Sequence, residues 1–128
     1  MRTEQDEAHL RLVERVYAEV LDALDPAAVD ELFDPGYIQH NPNVETGTQG
    51  LKAMLVRAKG KYPNVRHYVK RMLVDGDMVA AHVHLVFHPG EPGFKVVDLF
   101  RVEKGRIAEH WDVMQPVALE PKNTNGEF

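Results

Sequence analysis

From Val65 to Met114 the side chains alternate in character from one residue to the next. From Thr3 to about Gly60 the apolar residues instead recur every three or four positions. A period of two belongs to strands and a period of about 3.6 to helices. The chain is therefore committed to helices first and a sheet afterwards, which makes an α+β domain with the helices laid on one face of the sheet.

The helical half divides at its punctuation. Leu10, Val13, Val16, Tyr17, Val20, Leu21 and Leu24 form one apolar stripe, and Thr3 with Asp6 resembles a capping box, so a helix is expected over Thr3–Leu24. Asp25-Pro26 is a cap followed by a proline at the first helical position, opening a short helix to Phe33 that Asp34-Pro35-Gly36 stops. Tyr37–Pro42 reads as an extended piece ending in a loop. A further helix starts near Thr48, carries Leu51, Met54, Leu55 and Ala58 on one side, and fades at Gly60–Pro63.

In the second half, Val65–Val74 and Met78–Phe87 meet across Asp75-Gly76, a strong hairpin signal. Phe94–Val102 and Ile107–Met114 complete a meander. Residues 1–117 are expected to form one domain and 118–128 a loose polar tail.

Composition narrows the possible functions. The 128 residues are 44% hydrophobic and 27% charged, enough for a real core, and the formal charge is −5. A nucleic-acid or anionic-membrane surface would need a basic stripe, which is missing. The chain has no Cys and no Ser, which removes disulfides, thiolate chemistry and a serine nucleophile. No apolar run approaches the ~18 residues of a membrane span and the start is polar, so the expected location is cytoplasmic. Seven histidines remain as the conspicuous chemistry.

Their placement depends on register. Glu103-Lys104-Gly105 suits a three-residue loop with glycine in the left-handed position and a bulge at Arg106. That pairs Phe100 with Ala108, Asp98 with His110 and Val96 with Asp112. A two-residue loop would move Asp98 opposite Trp111. A symmetric five-residue connection through Pro89–Gly93 pairs His84 with Asp98 and His82 with Phe100. His84, Asp98 and His110 would then form a row across three strands, with Asp112 beside them among Val96, Phe100, Ala108 and Met114. Val97, Leu99, Ile107, Trp111 and Val113 would make the opposite face, also apolar, to be covered by a second copy in a homodimer. His40 is expected at the pocket mouth, and His9, His67 and His88 at the surface. No metal-ligand spacing stands out, so neither a metal nor another cofactor is expected.

Tyr37-Ile-Gln-His-Asn-Pro42, Gly76-Asp-Met-Val-Ala-Ala-His82 and above all Val97-Asp-Leu-Phe-Arg-Val-Glu-Lys-Gly-Arg-Ile-Ala-Glu-His-Trp-Asp-Val113 resemble the SnoaL-like polyketide cyclase family. The resemblance runs over roughly residues 8 to 117. It implies a cone-shaped α+β fold, three N-terminal helices on a strongly curved antiparallel sheet that encloses a pocket, and pairing of copies through the outer sheet face. In that family a late-strand carboxylate is the acid/base for an aldol ring closure, and Asp112 matches its position. Where the family has a partner histidine on the neighbouring strand, this chain has Asp98.

The chemistry expected is cofactor-independent proton transfer beside a carbonyl: ring closure, isomerisation or a lyase step on a small molecule. Asp112 would be the base, Asp98 its partner or alternate, and His110 the proton shuttle. His40, His84, His82, Tyr37, Phe100 and Met114 would contact substrate. The alternative is a non-catalytic small-molecule binder using the same pocket.

Overall fold

A computed structural model describes the chain from Met1 to Phe128. Helix α1 (Glu4–Arg15) begins as its sequence requires: Thr3 Oγ1 accepts the Asp6 backbone N–H at 3.0 Å, and the Asp6 carboxylate accepts that of Thr3 at 2.9 Å. The helix does not continue unchanged to Leu24. Over Val16–Asp22 it widens into a π-helical stretch. A 3₁₀ turn (Pro26–Ala28), capped by Asp25, leads into α2 (Val29–Leu32), and α3 spans Gly47–Lys61. None of these helices is long and apolar enough to cross a membrane.

The strands are β1 (Phe33–Gln39), β2 (Arg66–Asp75), β3 (Met78–Val86), β4 (Phe94–Glu103) and β5 (Arg106–Pro116), in sheet order β1-β5-β4-β3-β2. The meander is antiparallel as expected. To it the structure adds β1, which pairs in parallel with β5 and makes the sheet mixed. Val13, Val16 and Val20 of the helical arm and Val79, Ala81 and Val83 of β3 are fully buried between the layers. Each valine so buried is worth about 1.5–3 kcal/mol relative to exposure.

Both long-range registers differ from expectation. Lys104 and Gly105 have φ of +51° and +76°, so β4 and β5 turn through a two-residue loop that pairs Glu103 with Arg106. Positive φ at both central residues marks a hairpin turn usually written with Asn or Gly first. Lysine at the first position hid it. The ladder then steps from Val102↔Ile107 to Arg101↔Glu109, leaving Ala108 as an extra residue. This bulge restores the alternation that the short loop had reversed. Phe100 therefore faces His110, Asp98 faces Asp112, and Val96 faces Met114. Ile107, assigned from alternation to the outer face, is buried next to Ala108.

Between β3 and β4 the last pair is Leu85↔Phe94, so the loop is longer than the five residues expected. Gly93 closes it at φ +79°, and a Cβ there would lie 2.3 Å from the Leu85 carbonyl oxygen. Asp98 pairs with Ala81, His82 with Val97 and His84 with Lys95. The shift is odd, so His82 and His84 face away from Asp98.

The tail folds back against the sheet. The Val117 N–H donates to the Gly93 carbonyl at 3.0 Å, and Glu127 bridges Lys95 at 2.6 Å and the Ala118 N–H at 2.9 Å. The Phe128 ring lies 4.5 Å from that of His84 on the outer sheet face.

Candidate active site

The helices and the concave sheet face enclose a cavity of about 190 Å³, lined by 23 residues of which 17 are hydrophobic. Neither Lys nor Arg is among them, so its polarity rests on acids, histidines, tyrosines and amides.

Asp98 sits near the centre of β4, 5% exposed, where alternation aims it inward between Val96 and Phe100. A carboxylate so placed must be compensated. Tyr17, on the π-helical stretch, donates its O–H to Asp98 Oδ2 at 2.5 Å, and His110 Nε2 lies 2.9 Å from Oδ1. The other nitrogen of His110, Nδ1, is 2.7 Å from Gln39 Oε1. That amide oxygen also accepts the backbone N–H groups of His40 and Asn41, each at 3.1 Å. An atom already accepting from two amides is the oxygen, so Nδ1 of His110 carries a hydrogen and Nε2 is the nitrogen turned to Asp98. The Asp98–His110 contact thereby holds one proton between its two atoms. No buried side-chain nitrogen or oxygen lacks a partner.

Asp112 stands opposite Asp98 and is more open. Asn41 Nδ2 donates to both of its oxygens, at 3.1 and 2.9 Å, which fixes the carboxylate plane while leaving it on the cavity wall. Tyr37 is buried beside them and its hydroxyl oxygen accepts from Gln39 Nε2 at 2.9 Å. The Tyr37 proton has no acceptor in the chain and is free for a ligand. Burial first, then the charges of Asp98 and Asp112, push the Tyr37 hydroxyl well above the usual tyrosine range. Tyr17 is raised further by the same causes, burial first and Asp98 next. Both tyrosines thus remain hydrogen-bond donors.

Of the residues chosen from sequence, Asp98, His110, Asp112, Tyr37, Phe100 and Met114 converge on this cavity. Three do not. His40 follows the last residue of β1 and lies on the outer face, stacked on Trp111 at 4.8 Å and paired with Glu109 at 2.6 Å. Its hydrogen bond, followed by that of Arg101, holds the Glu109 carboxyl below the usual glutamate range. His82 accepts from the Arg71 guanidinium, and His84 Nε2 bonds the Pro92 carbonyl at 2.7 Å, both outside the cavity.

Two histidines assigned to the surface are not there. His9 is 8% exposed, with Nδ1 3.0 Å from the Gly76 carbonyl oxygen, and His67 lines the cavity.

Sequence reasoning missed Tyr17, Gln39 and Asn41. The signal for the last two was present. In an extended Tyr37-Ile-Gln-His-Asn segment, residues 37, 39 and 41 share a face and residue 40 takes the other. Tyr17 looked like one more apolar position of the helical stripe.

The ligand atoms of Asp98, His110 and Asp112 lie within 4.8 Å of one another, the sole grouping with the composition to hold a metal ion. His110 Nε2 and Asp98 Oδ1 are hydrogen-bonded to each other, so a cation held through those two atoms would have to break that contact.

Comparison with known proteins agrees with this architecture. The chain superposes on a provisionally assigned polyketide cyclase from Bacillus cereus ATCC 10987 with a TM-score of 0.76, at 21% identity over 89% of this chain and 78% of that one. A provisionally assigned SnoaL-like polyketide cyclase from Jannaschia sp. CCS1 gives 0.74, at 20% identity over 89% and 90%. A provisionally assigned isomerase of the SnoaL-like family from Agrobacterium tumefaciens str. C58 gives 0.71, at 18% identity over 85% and 98%. At these identities the likeness is one of fold. No curated protein matches the sequence. The family model for the SnoaL-like polyketide cyclases matches residues 11–122, nearly the whole chain, and with the cone fold and the concave-face carboxylates already in place, the protein belongs to that family.

Proposed function

We propose that the protein is a cofactor-independent acid/base catalyst acting on a small neutral carbonyl compound. One observation carries this: a carboxylate, Asp112, is presented to an apolar cavity beside a tyrosine O–H that has no acceptor in the chain. Asp112 takes the proton from the carbon next to the carbonyl. The C–H electron pair moves into the new C=C bond, and charge builds on the carbonyl oxygen. Tyr37 donates its hydrogen bond to that oxygen, where it stabilises the enolate more than the ketone. The proton on Asp112 then returns to carbon, giving isomerisation, or goes to the alkoxide formed when the enolate carbon attacks a second carbonyl, giving ring closure. Asp98, His110 and Gln39 hold the floor of the site and keep one proton beside it. With the Asp112 carboxylate on the wall, the Asp98–His110 pair neutral as a unit and no Lys or Arg in the lining, a ligand bearing a carboxylate or phosphate inside the cavity is repelled.

The test is hydrogen–deuterium exchange on β-tetralone, a neutral enolisable ketone, in heavy water. Proton NMR should show the protein speeding loss of the α-hydrogen signal above buffer at the same pD. Exchange no faster than buffer would sink the proposal. A second reading, a binder without catalysis, draws on the completeness of the Tyr17–Asp98–His110–Gln39 chain of hydrogen bonds, in which each member bonds the next. That outcome would appear as β-tetralone binding without exchange.

Pairing of two copies belongs to the same proposal. Val97, Leu99 and Val113 are 38%, 37% and 69% exposed on the outer sheet face, side by side on β4 and β5. Sedimentation equilibrium should return twice the chain mass of 14.5 kDa, whereas a monomer at micromolar concentration would refute the pairing.

A further inference from the structure

The mechanism above leaves one histidine of the cavity wall unused. His67, on the concave face of β2, has its ring fixed by Asp22 at the end of the π-helical stretch. Asp22 Oδ1 accepts both the His67 backbone N–H and Nδ1–H, each at 2.8 Å. As a carboxylate oxygen it can only accept, so the hydrogen of the neutral ring is on Nδ1 and the lone pair is on Nε2. Nε2 makes no hydrogen bond within the chain, yet it is not among buried atoms cut off without a partner. The side chain is 13% exposed and lines the same cavity as Asp112, while Tyr17, 5.7 Å away between ring centres, separates it from Asp98.

A lone pair oriented by a second side chain, in an otherwise apolar wall, is a place for a ligand's hydrogen-bond donor. We propose that His67, positioned by Asp22, accepts a hydrogen bond from a hydroxyl group of the substrate. The ligand would then be a neutral hydroxy-carbonyl compound, its carbonyl at Tyr37 and Asp112 and its hydroxyl at the β2 side of the cavity. This rests on the proposed carbonyl chemistry for one end of the ligand and adds the other end. Asp22 is a positioning residue: it touches no ligand and acts by choosing which ring nitrogen is bare.

The experiment compares β-tetralone with an analogue carrying a hydroxyl on its aromatic ring, away from the carbonyl. Calorimetry on the full chain should show the hydroxylated ketone binding roughly five- to tenfold tighter, the range of one additional hydrogen bond. His67→Phe should remove that preference, so that the two ketones bind alike. Imidazole nitrogen NMR on the wild type should show His67 as the Nδ1–H tautomer, and Asp22→Ala should move it to Nε2–H. Asp22→Ala should also lower the preference for the hydroxylated ketone, which an aspartate acting on stability alone would leave unchanged. Equal binding of the two ketones, or an Nε2–H tautomer in the wild type, overturns the proposal and leaves the carbonyl chemistry standing. If neither ketone binds, both proposals are overturned. The wild-type comparison needs no variant to fold.

Discussion

Replacing Asp112 by Asn slows α-hydrogen exchange of β-tetralone by about 100-fold or more, the usual weight of a positioned general base. The substitution keeps the side chain's shape and one oxygen for Asn41, and Asp112 lies at the cavity wall rather than in the packed core. The variant should therefore unfold at nearly the wild-type urea concentration. Activity and stability are thus expected to separate. A variant that retains exchange removes Asp112 as the base. One that loses both together shows Asp112 to be structural.

Asp98 should behave in the opposite way. Asp98→Leu strips the acceptor from Tyr17 and from His110 at once, in a setting where both are buried. Breaking a buried hydrogen-bonded charge pair by removing one partner costs about 3–5 kcal/mol, because what remains is buried without compensation. Urea denaturation should show that loss. Combining Asp98→Leu with His110→Leu and Tyr17→Phe should recover much of it, since removing all the polar partners together leaves nothing unsatisfied. A single Asp98→Leu variant as stable as wild type would show that the contacts carry no net energy.

The contrast between two carboxylates facing each other across one rung of the ladder explains what could be read from the sequence. The switch from helical to strand spacing near Val65 was plain, as were the caps at Thr3 and Asp25 and the hairpin at Gly76, because each depends only on neighbours in sequence. Parity across the sheet depends on turns. One positive-φ lysine and one extra residue at Ala108 changed the β4–β5 pairing by an even number of positions, so Asp98, His110 and Asp112 still met. The β3–β4 loop changed by an odd number, and His82 and His84 were lost to the other face. Alternation carried through the extended piece from Tyr37 to Asn41 would have excluded His40 and selected Gln39 and Asn41. Tyr17 and Asp22 could not be placed by periodicity, since their segment does not keep the period of an ordinary helix.

That segment also limits how the chain can vary. Tyr17 and Asp22 are five positions apart, which at about 100° per residue would set them some 140° apart around an α-helix. Winding with bonds from each residue to the fifth beyond it turns less at every step and brings them much closer to one face. Hence a single stretch of backbone supplies both the hydroxyl that holds Asp98 and the carboxylate that steers His67. Shortening it by one residue, silent in most helices except for a rotation, would here force a choice between the two partners. The widened stretch acts as a spacer gauge, and its length is as much a part of the chemistry as any side chain it carries.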